Sequence, residues 1–104
     1  MIKIENIKDL SSYKGQKTIA MFSTEWCGEC IMNKPIVQKL SQEFTDINFV
    51  TIDVDDNELW INDGNDEYSI TEAPTWIGYS NNEIMFRETN FQNESKLREL
   101  ISKL

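Results

Sequence analysis

The chain has two cysteines, and both lie in the stretch Trp26-Cys27-Gly28-Glu29-Cys30. Two thiols three residues apart either bind a metal or cycle between dithiol and disulfide, unless they are simply two buried cysteines. A closed zinc site needs four ligands. The chain has no histidine, so this pair would complete such a site only by bridging two chains or by recruiting carboxylates. No metal is therefore expected, and redox exchange remains. The flanking sequence supports it. Thr18 to Ser23 reads as a buried strand and Cys30 to Phe44 as a helix. Sulfur at such a junction sits at the positive end of a helix, where a thiolate is stabilised. Positions i and i+3 on a first helical turn face the same side. Cys27, nearer the helix start, is the expected nucleophile on a disulfide. Cys30, one turn further in and more buried, is expected to resolve the mixed disulfide. Trp26 forms an apolar lip beside the sulfur, and Gly28 lets a substrate chain approach closely.

The elements that must hold this stretch follow from patterning. Met1 to Ile4 alternates like a short strand. Asn6 is a cap for a short helix through about Tyr13, with Ile7 and Leu10 on one face and Gly15 as its stop. The near-continuous apolar run Lys17 to Ser23 suits a central parallel strand covered on both faces. Ile36, Val37, Leu40 and Phe44 recur at helical spacing and predict the buried stripe of the long helix, which contains Pro35. Ile47 to Val54 is a second buried strand. Strand, helix and strand at these lengths form a βαβ unit with parallel strands. A third short helix is expected around Leu59-Trp60-Ile61, closed by Gly64 and followed by the loop Asn65-Asp66-Glu67, with Tyr68 and Ile70 docking back. Thr75 to Tyr79 and Glu83 to Thr89 form a hairpin about Ser80-Asn81-Asn82, since asparagine tolerates positive φ. Leu97, Leu100, Ile101 and Leu104 mark a final helix capped by Asn93, with Glu94–Arg98 and Glu99–Lys103 as i,i+4 pairs. The expected class is α/β, a central mixed sheet of four to five strands flanked by helices on both faces. Its reaction site lies at the carboxyl end of a central strand, where the cysteines are.

Composition narrows the role. At 104 residues the chain suits a single domain over 1–104. Ten basic against 18 acidic side chains give a net charge of -8, which disfavours nucleic acid and anionic membranes as partners. No segment approaches a membrane span, and Met1 to Asn6 has no signal-like apolar run, so a cytoplasmic monomer is expected. In that compartment a CxxC is catalytic or metal-binding rather than a staple.

Phe22-Ser23-Thr24-Glu25-Trp26-Cys27-Gly28-Glu29-Cys30 resembles the active-site stretch of thioredoxins. Pro35 matches that family's helix proline, and Ala73-Pro74-Thr75 resembles its cis-proline segment opposite the dithiol. The element order agrees along nearly the whole chain. The resemblance implies a thioredoxin fold and a thiol–disulfide oxidoreductase that reduces protein disulfides. It further implies a thioredoxin reductase or similar electron donor, and no cofactor beyond the redox-active Cys27–Cys30 disulfide. Trp26, Gly28, Glu29, Ala73, Pro74 and Thr75 would then contact substrate. Four departures stand out. Glu29 replaces the proline of the usual WCGPC motif, and its carboxylate opposes ionisation of Cys27, which favours a reductant over an oxidant. Met21 replaces a buried aspartate, and Phe49 replaces the lysine paired with it, leaving water or Glu29 as base for Cys30. Asn90 replaces a glycine of the last strand region. A glutaredoxin role is disfavoured by the negative charge and by the absence of a CPYC-like motif.

The stretch from Asp53 to Glu72 carries eight acidic residues and no lysine or arginine. It reads as a solvated loop or as a docking surface for a basic protein. Asp53, Asp55 and Asn57 alternate as in a calcium loop, but Glu58 stands where that loop's glycine belongs and Gly64 where its bidentate glutamate belongs. Trp60 and Trp76 read as core or rim packing, with Trp76 bordering the substrate groove. The extended acidic stretch and the missing charged pair also admit two alternatives. One is a redox-regulated or redox-silent binding module on the same scaffold, and the other a reductase dedicated to one partner.

Overall fold

The computed structural model of the chain describes residues 1–60 and 67–104. Its sheet is built around β2 (Thr18–Ser23), in which Thr18 through Phe22 are all buried. On one side β2 pairs in parallel with β3 (Asn48–Asp53), which in turn pairs in parallel with β1 (Ile2–Ile4). On the other side it pairs antiparallel with β4 (Thr75–Ser80), which continues into antiparallel β5 (Glu83–Thr89). The strand order is β1-β3-β2-β4-β5, a five-stranded mixed sheet as the sequence predicts.

Successive β2 residues point to opposite faces. Ile19 and Met21 join Phe49 and Trp76 on one face, against Val37 and Leu40 of α1 (Gly28–Glu43) and Leu97, Leu100 and Ile101 of α2 (Glu94–Ile101). Ala20 and Phe22 join Val50, Ile52 and Ile77 on the other, covered by Leu10, Val54 and Ile70. Full burial of one such leucine is worth roughly 1.5–3 kcal/mol, so Leu40, Leu97 and Leu100 fix both α-helices to the first face. Asn93 caps α2, accepting the Lys96 N–H at 2.8 Å.

Three details differ from expectation. The first helix is a 3-10 helix, Ile7–Ser12, which ends three residues before Gly15. Asn6 does cap it, accepting the Lys8 N–H at 2.9 Å. Leu59 and Trp60 are not helical, because Trp60 bridges in parallel to Ile70. The rest of that expected helix and its loop, residues 61–66, lies outside the described residues. In α2, Glu94 pairs with Arg98 at 3.1 Å, while Glu99 lies 3.8 Å from Lys96 instead of meeting Lys103.

The end of the acidic segment is anchored by basic and phenolic groups from elsewhere. Lys14 Nζ lies 2.9 Å from Glu67 Oε2 and also bonds the Tyr68 hydroxyl. Tyr79 OH donates to Glu67 at 2.6 Å, and the Arg87 guanidinium donates to the carbonyls of Glu67 and Ser69 at 2.7 and 3.0 Å. Burial pushes the Glu67 carboxyl up, but Tyr79 and Lys14 outweigh it and hold the group below its ordinary range.

At the hairpin, Asn81 and Asn82 have φ of 55° and 66°, the positive pair that a two-residue I′ turn requires. The strands are displaced in register between Gly78 and Tyr79, and the Phe86 ring lies over Gly78. A Cβ there would fall 2.1 Å from a ring carbon. Gly78→Ala must therefore move Phe86 out of the first core. Overpacking of this kind is destabilising by about 1–3 kcal/mol. Urea unfolding should show that loss as a lower midpoint with an unchanged slope.

Candidate active site

Chain flow through β2 delivers Thr24-Glu25-Trp26 to the carboxyl end of the central strand, and α1 starts at Gly28. Cys27 is its N-cap. The Cys27 sulfur accepts the Cys30 backbone N–H at 3.1 Å, so it lies within the ring of free N–H groups at the helix start. Helix α1 thus begins two residues earlier than the sequence predicts. Cys27 and Cys30 are disulfide-bonded, with Cα atoms 5.2 Å apart. Cys27 is 6% exposed and Cys30 1%, the asymmetry expected of an attacking and a resolving thiol.

Opposite the disulfide, the Ala73–Pro74 peptide bond is cis. The Ala73 carbonyl oxygen lies 3.4 Å from Cys27 Sγ, within reach of a thiol at that position. Pro74 is buried, and its own carbonyl accepts the Asn90 N–H at 2.7 Å. Asn90 has φ of 72°, a left-handed conformation that glycine and asparagine adopt most readily. Its carbonyl accepts the Trp76 indole N–H at 3.0 Å. Trp76 is therefore a core residue, 1% exposed, rather than a border of the groove. Thr75 is buried, and its hydroxyl donates to the Glu72 carbonyl at 2.6 Å. At Thr75, then, only the backbone is left to meet a substrate. Gly28 is open, with nothing within 4 Å of where its Cβ would lie.

Among the described residues, Trp26 is the most exposed large apolar residue, at 68%. It is held in place by a feature that the sequence reading missed. Its indole N–H donates to Asp55 Oδ2 at 2.8 Å, and the Trp60 indole N–H donates to Asp55 Oδ1 at 2.6 Å. The two rings stack, with centroids 6.0 Å apart. One carboxylate thus grips two aromatics, and the bonds from Trp60 and then Trp26 hold the Asp55 carboxyl below its usual range. Its neighbours are also engaged. Asp53 Oδ1 accepts the Asp56 N–H at 2.7 Å, and Asn57 Oδ1 accepts the Ile7 N–H at 2.8 Å. The alternation that suggested a calcium loop serves a turn and the 3-10 helix instead.

Glu29 and Asn33, one turn apart on α1, form a second unforeseen feature. The Phe91 N–H donates to Glu29 Oε1. Asn33, fully buried, donates to the Gln92 carbonyl at 2.7 Å and accepts the Gln92 N–H at 3.1 Å. Together they fasten the β5–α2 connection to the helix that carries the cysteines. The only sequence signal for Asn33 is its place among Cys30, Val37 and Leu40, a polar residue inside the buried stripe of α1. Met21 and Phe49 are both buried, at 2% and 4%, in the same apolar cluster as Cys30.

A closed CxxC at a helix N-terminus, facing a cis-proline across a mixed sheet, defines a thiol–disulfide exchange centre. Comparison with known proteins gives the same answer. The thioredoxin family model matches residues 5–103. A thioredoxin of Ophiophagus hannah is 34% identical, with 99% of this chain and 98% of the relative covered. A thioredoxin of Mycoplasma genitalium is 30% identical over 96% of each chain. The solved structure of Fasciola hepatica thioredoxin superposes with a TM-score of 0.82 at 30% identity, covering 99% of this chain and 98% of its own. The chain belongs to the thioredoxin family, and its activity is that of a protein-disulfide oxidoreductase.

Two measurements test the ties around the site. Asn33→Ala leaves the two buried main-chain groups of Gln92 without their partner, at about 1–3 kcal/mol per unsatisfied group. The variant should unfold at correspondingly lower urea, and wild-type stability would show that water replaces the side chain. The second concerns Asp55. A depressed folded pKa means that its grip on the indoles persists as pH falls past the ordinary aspartate value of about 3.9 and is lost only below it. The near-ultraviolet circular dichroism of the Trp26–Trp60 pair should therefore stay constant from neutral pH to about 4. Asp55→Ala should change that signal already at neutral pH.

Proposed function

We propose that the protein is a cytoplasmic reductant of protein disulfides. It acts as a monomer, is recharged by a thioredoxin reductase or similar electron donor, and needs no cofactor beyond its own disulfide. The carrying observation is the position of the Cys27 sulfur, between the N–H groups of α1 and the Ala73 carbonyl. The helix end stabilises the thiolate, and the Ala73 carbonyl accepts a hydrogen bond from the S–H when Cys27 is a thiol.

In the reductive direction, the Cys27 thiolate attacks one sulfur of a substrate disulfide. A Cys27–substrate bond forms, and the other substrate sulfur leaves as a thiolate that takes up a proton. The Cys30 thiol then loses its proton and attacks Cys27 Sγ. The Cys27–Cys30 bond forms, and the second substrate sulfur leaves. Two electrons pass from dithiol to substrate. Substrate chain lies along Gly28, against the Trp26 ring, and beside the backbone of Ala73, Pro74 and Thr75. Glu29 shapes this surface by holding Phe91. With no helix long and apolar enough to cross a membrane among the described residues, and with a charge of -8, a soluble, mobile carrier is the economical reading.

Insulin reduction is the direct test. With dithiothreitol as electron source the wild type should accelerate precipitation of the insulin B chain, and Cys27→Ser should fall to the uncatalysed rate. Equal rates for the two proteins would sink the reading. Replacing dithiothreitol by NADPH and a thioredoxin reductase should sustain turnover; failure there alone would mark a protein dedicated to another donor.

A further inference from the structure

Cys30 must lose a proton before it can attack Cys27, yet it is 1% exposed. Burial raises the pKa of a thiol, so the proton needs a receiver. Met21, Phe49, Val37 and Leu40 share its apolar cluster and can accept nothing. Cys30 also borders a cavity of about 150 Å³ beneath the start of α1, and none of Ala73, Pro74 or Thr75 lines it. Ser23, Thr24, Thr51 and Asp53 are among the polar residues that line it. Its volume admits several water molecules.

The wall is arranged for proton traffic. Ser23 Oγ and Thr51 Oγ1 lie 3.2 Å apart. Thr24 Oγ1 is buried and has no hydrogen-bond partner among the described residues. Asp53 is the register partner of Ser23 across β2 and β3, and its Oδ1 is fixed by the Asp56 N–H at 2.7 Å. Among the described residues its Oδ2 has no hydrogen-bond partner. The other charged groups bordering the cavity are Lys3 from β1, Lys34 from α1 and Glu25 from the β2–α1 loop, all exposed. Glu29, next to Cys30 in the chain, does not line the cavity and is tied to the Phe91 N–H in the β5–α2 connection.

We propose that Asp53 is the general base for the resolving step, acting through water and the Ser23–Thr51 hydroxyls in this cavity. The proposal rests on the exchange reading above. The Cys30 proton passes to a cavity water, and a proton from that water chain passes to the Asp53 carboxylate. The Cys30 thiolate forms the bond to Cys27 Sγ as the Cys27–substrate bond breaks, and the substrate leaves as a thiolate. When the disulfide is reduced again, Asp53 returns the proton. The flanking lysines stabilise negative charge on either group.

The test is a single turnover of fully reduced protein with a disulfide-bonded peptide, quenched in acid and read by mass spectrometry. Formation of the peptide adduct reports attack by Cys27; its decay reports resolution by Cys30. Asp53→Asn keeps an oxygen for the Asp56 N–H, so the turn survives. It should form the adduct at the wild-type rate and resolve it about tenfold or more slowly at pH 6–7, since general bases contribute about 10²–10⁴-fold. The gap should narrow as pH rises, because hydroxide increasingly takes the Cys30 proton without help from Asp53. A purely structural role would slow decay by the same factor at every pH, and that outcome, or wild-type decay at pH 6–7, overturns the proposal. Ser23→Ala should show a smaller defect with the same pH dependence. Slow decay in Glu25→Gln with normal decay in Asp53→Asn would assign the base to Glu25 instead. Absence of any adduct in the wild type would overturn the exchange reading, and the proposal with it.

Discussion

The structure depends on placing one sulfur at the mouth of a helix. A helix N-terminus leaves main-chain N–H groups without partners. Here the Cys27 sulfur takes one of them, so the same atom caps the helix and carries the chemistry. For that to work, α1 must be held rigidly at the end of β2. The parallel β2-α1-β3 unit supplies this, since Val37 and Leu40 seat the helix on the face that Ile19, Met21 and Phe49 present. The cis-proline reaches the sulfur because β4 runs antiparallel beside β2, which brings the start of β4 next to the end of β2, with Thr75 opposite Phe22. Each half of the site comes from one side of the central strand.

The residue between the cysteines is part of the same scaffold. Glu29 and Asn33 lie four apart on α1, and both grip consecutive main-chain groups at Phe91 and Gln92. The β5–α2 connection is thereby pinned to the first two turns of the active-site helix. A proline at position 29 could not make that bond, so the departure from the usual motif is tied to the docking of this connection. It also changes the electrostatic account. A carboxylate fixed on a main-chain N–H is oriented across the helix, and its effect on Cys27 is opposed by the helix end.

Much of this was legible in the chain because it is periodic or local. Alternation and apolar runs reveal five strands, the spacing of Val37 and Leu40 shows the buried face of α1, and Asn81-Asn82 announces the hairpin. The CxxC locates the sulfur, and resemblance to a family points to Pro74. What escaped is long-range polar pairing. Nothing in the local pattern says that Asp55 serves two indoles, or that Asn33 reaches Gln92, because Asp55 and Trp26 are 29 residues apart, Asn33 and Gln92 are 59 apart, and neither pairing obeys a period. The misplaced helix at Leu59-Trp60 has the same origin. Its apolar centre suits a helix, but Trp60 is held by the stack on Trp26 and the bridge to Ile70.

Met21 and Phe49 put apolar side chains beneath the site, and this choice fits the cost of burying ions. A lone buried charge is expensive, whereas replacing both partners with apolar side chains of suitable shape is neutral or stabilising. Both positions here are apolar and buried, so no ion is desolvated there. The consequence falls on Cys30. On that side it now faces only hydrocarbon, which favours the uncharged thiol. Polar residues border it further along the same sheet face, where Ser23, Thr51 and Asp53 gather at the carboxyl ends of β2 and β3. Those ends converge because the strands are parallel and in register, Ser23 beside Asp53. The sheet geometry that places the nucleophile thus also decides where the resolving thiol can exchange its proton.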